Sequence, residues 1–261
     1  MNPNADLLNL REKVALVTGG GMGIGEAIAL RLAGAGAAVA VGDVNASAGN
    51  AVARRIVEEG GRAMFVQMDV ADLAQHRSAV DAVTHGFGGL DLLVNNAGVF
   101  PFSPAVDTTP ELWDRVLSIN LRGAFFLTTA AARYLRSSGT GAVVNVASVD
   151  AFRPTGGHAH NDASKAALVM LTRSLAVEFA PLKIRVNAVV PGGIDTPGAR
   201  SAMGGSVPLA SNLAEAFLQR IPMHRMGTPD EIARVALFLA TPLSAYMTGA
   251  LVVVDGGYLV A

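Results

Sequence analysis

The chain has 261 residues, 51% of them hydrophobic, and a formal net charge of -1, so it can bury a substantial core and carries no charge block to attract nucleic acid or an anionic membrane. It contains no cysteine, which excludes disulfides and thiolate metal sites. Residues 1–10 lack the basic and apolar regions of a secretory signal and no apolar run approaches a membrane span, so a cytoplasmic globular protein with no metal and no membrane partner is expected.

Short β-branched runs alternate with helical patterns along the whole chain. Strands are predicted at 14–18, 38–42, 63–67, 90–95, 142–147, 184–190 and 251–254. Helices are predicted at 23–35, 46–59, 73–87, 110–136, 161–180 and 229–240. Such alternation implies parallel pairing through right-handed crossovers. The expected fold class is α/β, a Rossmann-like, doubly wound, seven-stranded parallel sheet with helices on both faces, in one domain spanning 1–261.

The first strand runs into Thr18-Gly19-Gly20-Gly21-Met22-Gly23-Ile24-Gly25, which opens a helix. Strand, glycine turn and helix in that order make a cradle for a diphosphate. Glycine lets the backbone turn tightly and approach the phosphates, and the free N–H groups of the helix start face the negative charge. Asp43 closes the second strand about 20 residues further on, where a carboxylate accepts hydrogen bonds from ribose hydroxyls. It would also repel a 2′-phosphate, and no Lys or Arg at Gly20, Gly21, Val44 or Asn45 offsets that, which favours NAD over NADP. Asp69-Val70 is expected to end the third strand and Asn95-Asn96-Ala97-Gly98 the fourth, both at the carboxyl edge where ligands gather.

Later motifs follow in order: Asn120, Asn145-Val146-Ala147-Ser148, Ala163-Ser164-Lys165-Ala166-Ala167, Pro191-Gly192 with Thr196, and Val254-Asp255-Gly256-Gly257. With these, the chain from about Arg11 to its end resembles an NAD-preferring short-chain dehydrogenase/reductase. The resemblance implies NAD(H), an alcohol or carbonyl substrate, and a homotetramer or homodimer. It implies cofactor contacts from Gly19, Gly21, Met22, Gly23, Ile24, Asp43, Asp69, Val70, Asn96, Ala97, Gly98, Lys165, Pro191, Gly192, Ile194 and Thr196. It further implies that Ser148 holds the substrate oxygen, that Lys165 binds the nicotinamide ribose and tunes the acid/base, and that Asn120 supports a water linking Lys165 to solvent.

One position departs from the pattern. The family places a tyrosine four residues before the lysine, one helical turn away, and here that residue is Asn161. A phenol with a pKa of about 10 can be tuned to give and take a proton, whereas a carboxamide only hydrogen-bonds. Four readings follow: a mutated or slow enzyme; a substitute acid, with His158 and His160 as candidates and Asp162 as a helix cap; chemistry that works by polarisation; or a redox-inactive NAD-binding protein. The dienoyl-CoA reductases resemble this fold and also lack the tyrosine, although their usual NADPH preference sits against Asp43. A non-redox lyase or isomerase is a further alternative. Restoring tyrosine at 161 is expected to raise turnover. Asp150, two residues after Ser148, is a further candidate to face the substrate.

Residues 195–225 are the least patterned stretch, broken by Gly198, Gly204, Gly205, Pro208 and Pro222, with one short helix predicted over 209–219. The resemblance makes this stretch a cover over the substrate, apolar through Met203, Val207, Leu213, Phe217 and Met223. Phe100, Pro101, Phe102 and Phe152 add apolar bulk, pointing to a medium-sized, partly hydrophobic substrate. The helices at 110–136 and 161–180 are apolar on more than one face and residues 246–261 are apolar to the end, both of which fit a two-fold oligomer.

Overall fold

Runs such as Val14-Ala15-Leu16-Val17 are apolar on both faces of the pleat, and only a sheet covered on both sides can bury them. The computed structural model, which describes residues 6–204 and 218–261, does so with one seven-stranded sheet. Its strands are β1 (Val14–Thr18), β2 (Ala38–Asp43), β3 (Arg62–Gln67), β4 (Leu92–Asn95), β5 (Ala142–Val146), β6 (Arg185–Pro191) and β7 (Leu251–Val254). All pairings are parallel, in the order β3-β2-β1-β4-β5-β6-β7. The strand order reverses between β1 and β4, which opens a crevice at their carboxyl ends.

The helices are α1 (Gly23–Gly34), α2 (Ala46–Glu58), α3 (Leu73–Phe87), α4 (Pro110–Leu117), α5 (Ala124–Ser137), α6 (Ala159–Phe179), α7 (Pro197–Gly204) and α8 (Pro229–Ala240). Successive strand residues feed opposite layers. Val17 and Val94 pack with Ile28 and Leu32 of α1, Ile56 of α2 and Ile232 of α8. Leu16 and Leu93 pack with Val83 of α3, Leu127 of α5 and Leu175 of α6. Among the described residues, no helix is long and apolar enough to cross a membrane, and no group of three or more His, Cys, Asp or Glu is placed to hold a metal.

Three expectations need correction. The helix predicted over 110–136 is two helices, α4 and α5, joined by a π-helical turn at Ser118–Gly123. Residues 110–136 are apolar on more than one face, so the shift in helical phase that the turn introduces left no visible break in the pattern. Such turns recur at functional sites, and this one carries Asn120. Gly123 has to be small here, because a Cβ would overlap the Val70 carbonyl oxygen. Second, Asp69-Val70 lies beyond the end of β3, in a turn where Asp69 Oδ1 accepts from the Ala71 N–H at 2.8 Å. Third, Gly198 does not break the chain. It lies inside α7, which starts at Pro197 with the Thr196 hydroxyl accepting from the Ala199 N–H at 3.0 Å. The side chain of Met203, together with Gly205, Val207, Pro208, Leu213, Phe217 and most of the helix predicted over 209–219, falls outside the described residues.

Candidate active site

The carboxyl end of β1 turns through Gly19 and Gly23, both at φ +59°, in the left-handed region that glycine tolerates. A Cβ on Gly25 would overlap the Gly19 carbonyl oxygen and the Asn96 amide, so α1 can approach the loop this closely only with glycine there. Side chains cap the starts of α2, α3 and α4, through Asn45, Asp72 and Thr109. No side chain caps α1 at Met22, the kind of helix start that suits an anion.

Neighbouring loops brace this cradle. Asn96 Nδ2 donates to the carbonyls of Thr18 and Gly19 at 2.9 and 3.0 Å, and the N–H groups of Asn96 and Ala97 donate to the Thr18 hydroxyl. The Asn96 amide therefore fastens the cradle instead of facing the crevice. Asp43 ends β2 and accepts from the Gly21 N–H at 2.9 Å and the Asn45 N–H at 2.8 Å, which stands its carboxylate beside the glycine loop. From the other side, Thr196 lies against Gly23, where an added Cβ would sit 3.4 Å from it. Pro191 ends β6 and Gly192 packs against Asp255, but the Ile194 side chain belongs to the core, with its backbone bridged to Gly227. Uncapped N–H groups, a loop that a Cβ would fill and a strand-end carboxylate together suit the diphosphate and ribose of a nicotinamide dinucleotide.

The second half of the site lies at the ends of β4 and β5. Asn120, 2% exposed, donates to the Val99 carbonyl at 2.9 Å, to Ser164 Oγ at 3.0 Å and to Asn161 Oδ1 at 3.3 Å, and accepts from the Val99 N–H at 2.8 Å. Asn161, also 2% exposed, uses its other end to donate to Asp150 Oδ2 at 2.9 Å. Ser148 accepts from the Asp150 N–H at 3.1 Å. Lys165 is buried and donates to the Val146 carbonyl at 2.8 Å, and burial pushes its pKa down to about 8 against the pull of Asp150. Asn120 Oδ1 and Lys165 Nζ both border Gly98, 3.3 and 3.5 Å from where its Cβ would be. Ser148, Asn161, Lys165 and Asn120 are thus brought together around one corner.

The two histidines separate. His160 is fully buried and its Nε2 pairs with the Pro101 carbonyl at 2.9 Å, while its Nδ1 is buried with no hydrogen-bond partner. His158 lies at the start of α6 with its ring edge-on to Phe102 at 5.6 Å. Asp162 is not a cap: it lies inside the first turn of α6, and its Oδ1 is buried with no hydrogen-bond partner. The loop of Phe100–Phe102 is tied to the loop before α6 by a Ser103 N–H to Gly157 carbonyl bond of 2.8 Å. Two participants were hard to find in the sequence. Ser164 receives Asn120 and donates to the Asn161 carbonyl at 2.7 Å, and Asp150 meets Asn161 across the loop between β5 and α6. The only local signal for Asp150 was its place two residues after Ser148.

A family model described as Enoyl-(Acyl carrier protein) reductase matches residues 19–259. The 2,5-dichloro-2,5-cyclohexadiene-1,4-diol dehydrogenase of Sphingobium indicum is 37% identical over 251 residues, covering 96% of this chain and 98% of that protein. A solved short-chain type dehydrogenase/reductase from Mycobacterium marinum is 39% identical with a TM-score of 0.89, over 97% of this chain and 98% of its own. A gluconate 5-dehydrogenase from Burkholderia cenocepacia, solved with NADP and tartrate, is 34% identical with a TM-score of 0.92, over 99% of both chains.

Proposed function

Since the chain belongs to the short-chain dehydrogenase/reductase family, whose members act as oxidoreductases with nicotinamide cofactors, we propose that it is an NAD(H)-dependent enzyme interconverting an alcohol and a carbonyl on a medium-sized, partly apolar substrate. The observation that carries this reading is the single corner in which Ser148, Asn161, Asn120 and Lys165 meet beside Gly98 and the glycine cradle. The dinucleotide, when bound, supplies or accepts the hydride. Gly19, Met22, Gly23 and Ile24 hold its diphosphate, Gly21 and Asp43 its adenosine ribose, and Asp69, Val70, Ala97 and Gly98 border its rings. Pro191, Gly192, the Ile194 backbone and Thr196 line the nicotinamide end. Ser148 and Asn161 orient the substrate oxygen, and Lys165 supplies positive charge as that oxygen gains electron density. With Asn161 in place of a phenol, proton transfer follows an altered route.

The whole chain works as one domain, with residues 195–225 as a cover over the substrate. Supporting this, Phe100 from the β4 loop reaches α7, where a Cβ on Gly198 would lie 3.7 Å from its ring. Exposed Phe102, Phe152 and Met223 suit an apolar substrate. A homotetramer or homodimer is supported by an apolar groove on α5 and α6 lined by Leu121, Phe125, Phe126, Met170 and Leu171, with Met170 58% exposed. A cytoplasmic location fits the absence of cysteine.

The test is nicotinamide absorbance with NAD and NADH across a panel of cyclic alcohols and ketones. Turnover supports the reading; tight NADH binding without turnover on any member would leave a redox-inactive binding protein. Cofactor choice is tested separately. Asp43→Ala is expected to reduce the preference for NADH over NADPH by about 10- to 100-fold, the worth of a charge-assisted hydrogen bond, in fluorescence titrations. An unchanged ratio would reject Asp43 as the discriminating group.

A further inference from the structure

Asn161 cannot exchange a proton, and each end of its carboxamide has one partner, which leaves the second amide hydrogen for the substrate oxygen. Its carbonyl oxygen accepts from Asn120 and its amide donates to Asp150, so the network fixes which way the carboxamide points. The group at the end of this chain of hydrogen bonds is a carboxyl. Asp150 sits on the short helical turn Val149–Ala151 that directly follows Ser148 and is half-buried. Its backbone N–H donates to the Ser148 hydroxyl oxygen at 3.1 Å, and its Oδ2 accepts from Asn161 Nδ2 at 2.9 Å. It therefore stands between the two groups that orient the substrate oxygen.

We propose that Asp150 is the proton donor and acceptor of this active site, exchanging a proton with the substrate oxygen held by Ser148 and Asn161. The proposal rests on the oxidoreductase reading above. In oxidation, the substrate O–H bond breaks and its proton passes to Asp150, the carbinol C–H bond breaks with its electron pair leaving as hydride to the oxidised nicotinamide, and the C=O bond forms. In reduction, the carbonyl carbon takes the hydride and the carboxyl of Asp150 gives its proton to the oxygen. The partial exposure of Asp150 lets it re-equilibrate with water after each turnover.

The surroundings suit the task. Burial raises the Asp150 pKa above the ordinary carboxylate value, while His158, the Ser148 hydroxyl, Lys165 and the Asn161 amide pull it back. From α6 the other titratable neighbours are His158, Lys165 and Asp162, and Asp162 is itself raised by burial and by the Asp150 charge. A carboxyl held above the ordinary aspartate value is better matched to both directions of proton transfer than an ordinary aspartate. The carboxylate form serves oxidation, so the oxidation rate rises with pH through the Asp150 titration and the reduction rate falls.

Asp150→Asn keeps the shape and removes the proton. Its kcat should fall on the order of 10²–10⁴-fold with NADH affinity unchanged, and the acid limb of the oxidation pH profile should disappear. Asp162→Asn should keep that limb. In the cofactor-free protein, an infrared carboxylic-acid band that titrates above the ordinary aspartate range should be present in the wild type and absent from Asp150→Asn. Should Asp150→Asn fold poorly, Asp150→Ser with added formate serves instead, and recovery of rate by formate supports the assignment. A wild type that turns over while Asp150→Asn keeps its rate or its acid limb overturns Asp150 alone. A wild type that binds NADH and turns over nothing overturns both readings.

Discussion

Replacing Lys165 with methionine is expected to lower kcat/KM on the order of 10²–10³-fold, the scale on which one preorganised charged donor stabilises developing negative charge. Methionine has similar length and suits a buried site, so the fold should persist. Two pH readouts separate an electrostatic role from a packing role. The ammonium is half-titrated at about pH 8 in the folded protein, against 10.5 for an ordinary lysine. Activity that depends on its charge falls as pH rises through about 8, and Lys165→Met should lose that basic limb. Stability runs the other way. Between about 8 and 10.5 the unfolded chain binds more protons at this residue than the folded one, so the stability of the wild type gains from this group as pH rises. Denaturant titrations across that window should show this gain in the wild type and lack it in Lys165→Met. Identical slopes in the two proteins would reject the burial-driven depression of Lys165.

The pair Asp150→Ala with Asn161→Tyr is expected to recover on the order of 10²-fold over Asp150→Ala alone, the lower range of a general-acid contribution. The space just beyond the Asn161 amide is filled by Asp150 Oδ2 at 2.9 Å, so a phenol at 161 competes with that carboxyl. Trimming Asp150 makes room and hands proton transfer to the phenol, with Lys165 one helical turn away to lower its pKa. Asn161→Tyr alone should therefore gain much less than the pair gains over its own parent. This replaces the simpler expectation that tyrosine at 161 raises turnover by itself. The measurement is a four-enzyme kinetic cycle, and additive effects of the two substitutions would reject direct contact between the positions.

The glycine-turn end of the candidate site was legible because its signals are local. Thr18–Gly25 spells strand, turn and helix within eight residues, and Asp43 follows at the distance set by one βαβ unit. The catalytic end was legible only as a list. Two histidines two residues apart looked equivalent, yet residues two apart on a helix face nearly opposite ways, and His160 turned to the Pro101 carbonyl. The break in the helix predicted over 110–136 was invisible because apolar residues on more than one face mask a change of helical phase. Asn120 enters the site because that turn swings it toward Val99 and Asn161.

The sequence by itself determined the alternation of strands and helices, the doubly wound class and the glycine turn between β1 and α1. Each of these is set by the backbone preferences and apolar spacing of neighbouring residues. Only the tertiary structure decided which groups stand around Asn161 and Lys165. The bond from Asn161 to Asp150, the pairing of Asn161 with Asn120 and the depressed Lys165 all depend on which side chains are buried together. Proton chemistry is set by burial and contact between elements distant in the chain, and no spacing along the sequence encodes it.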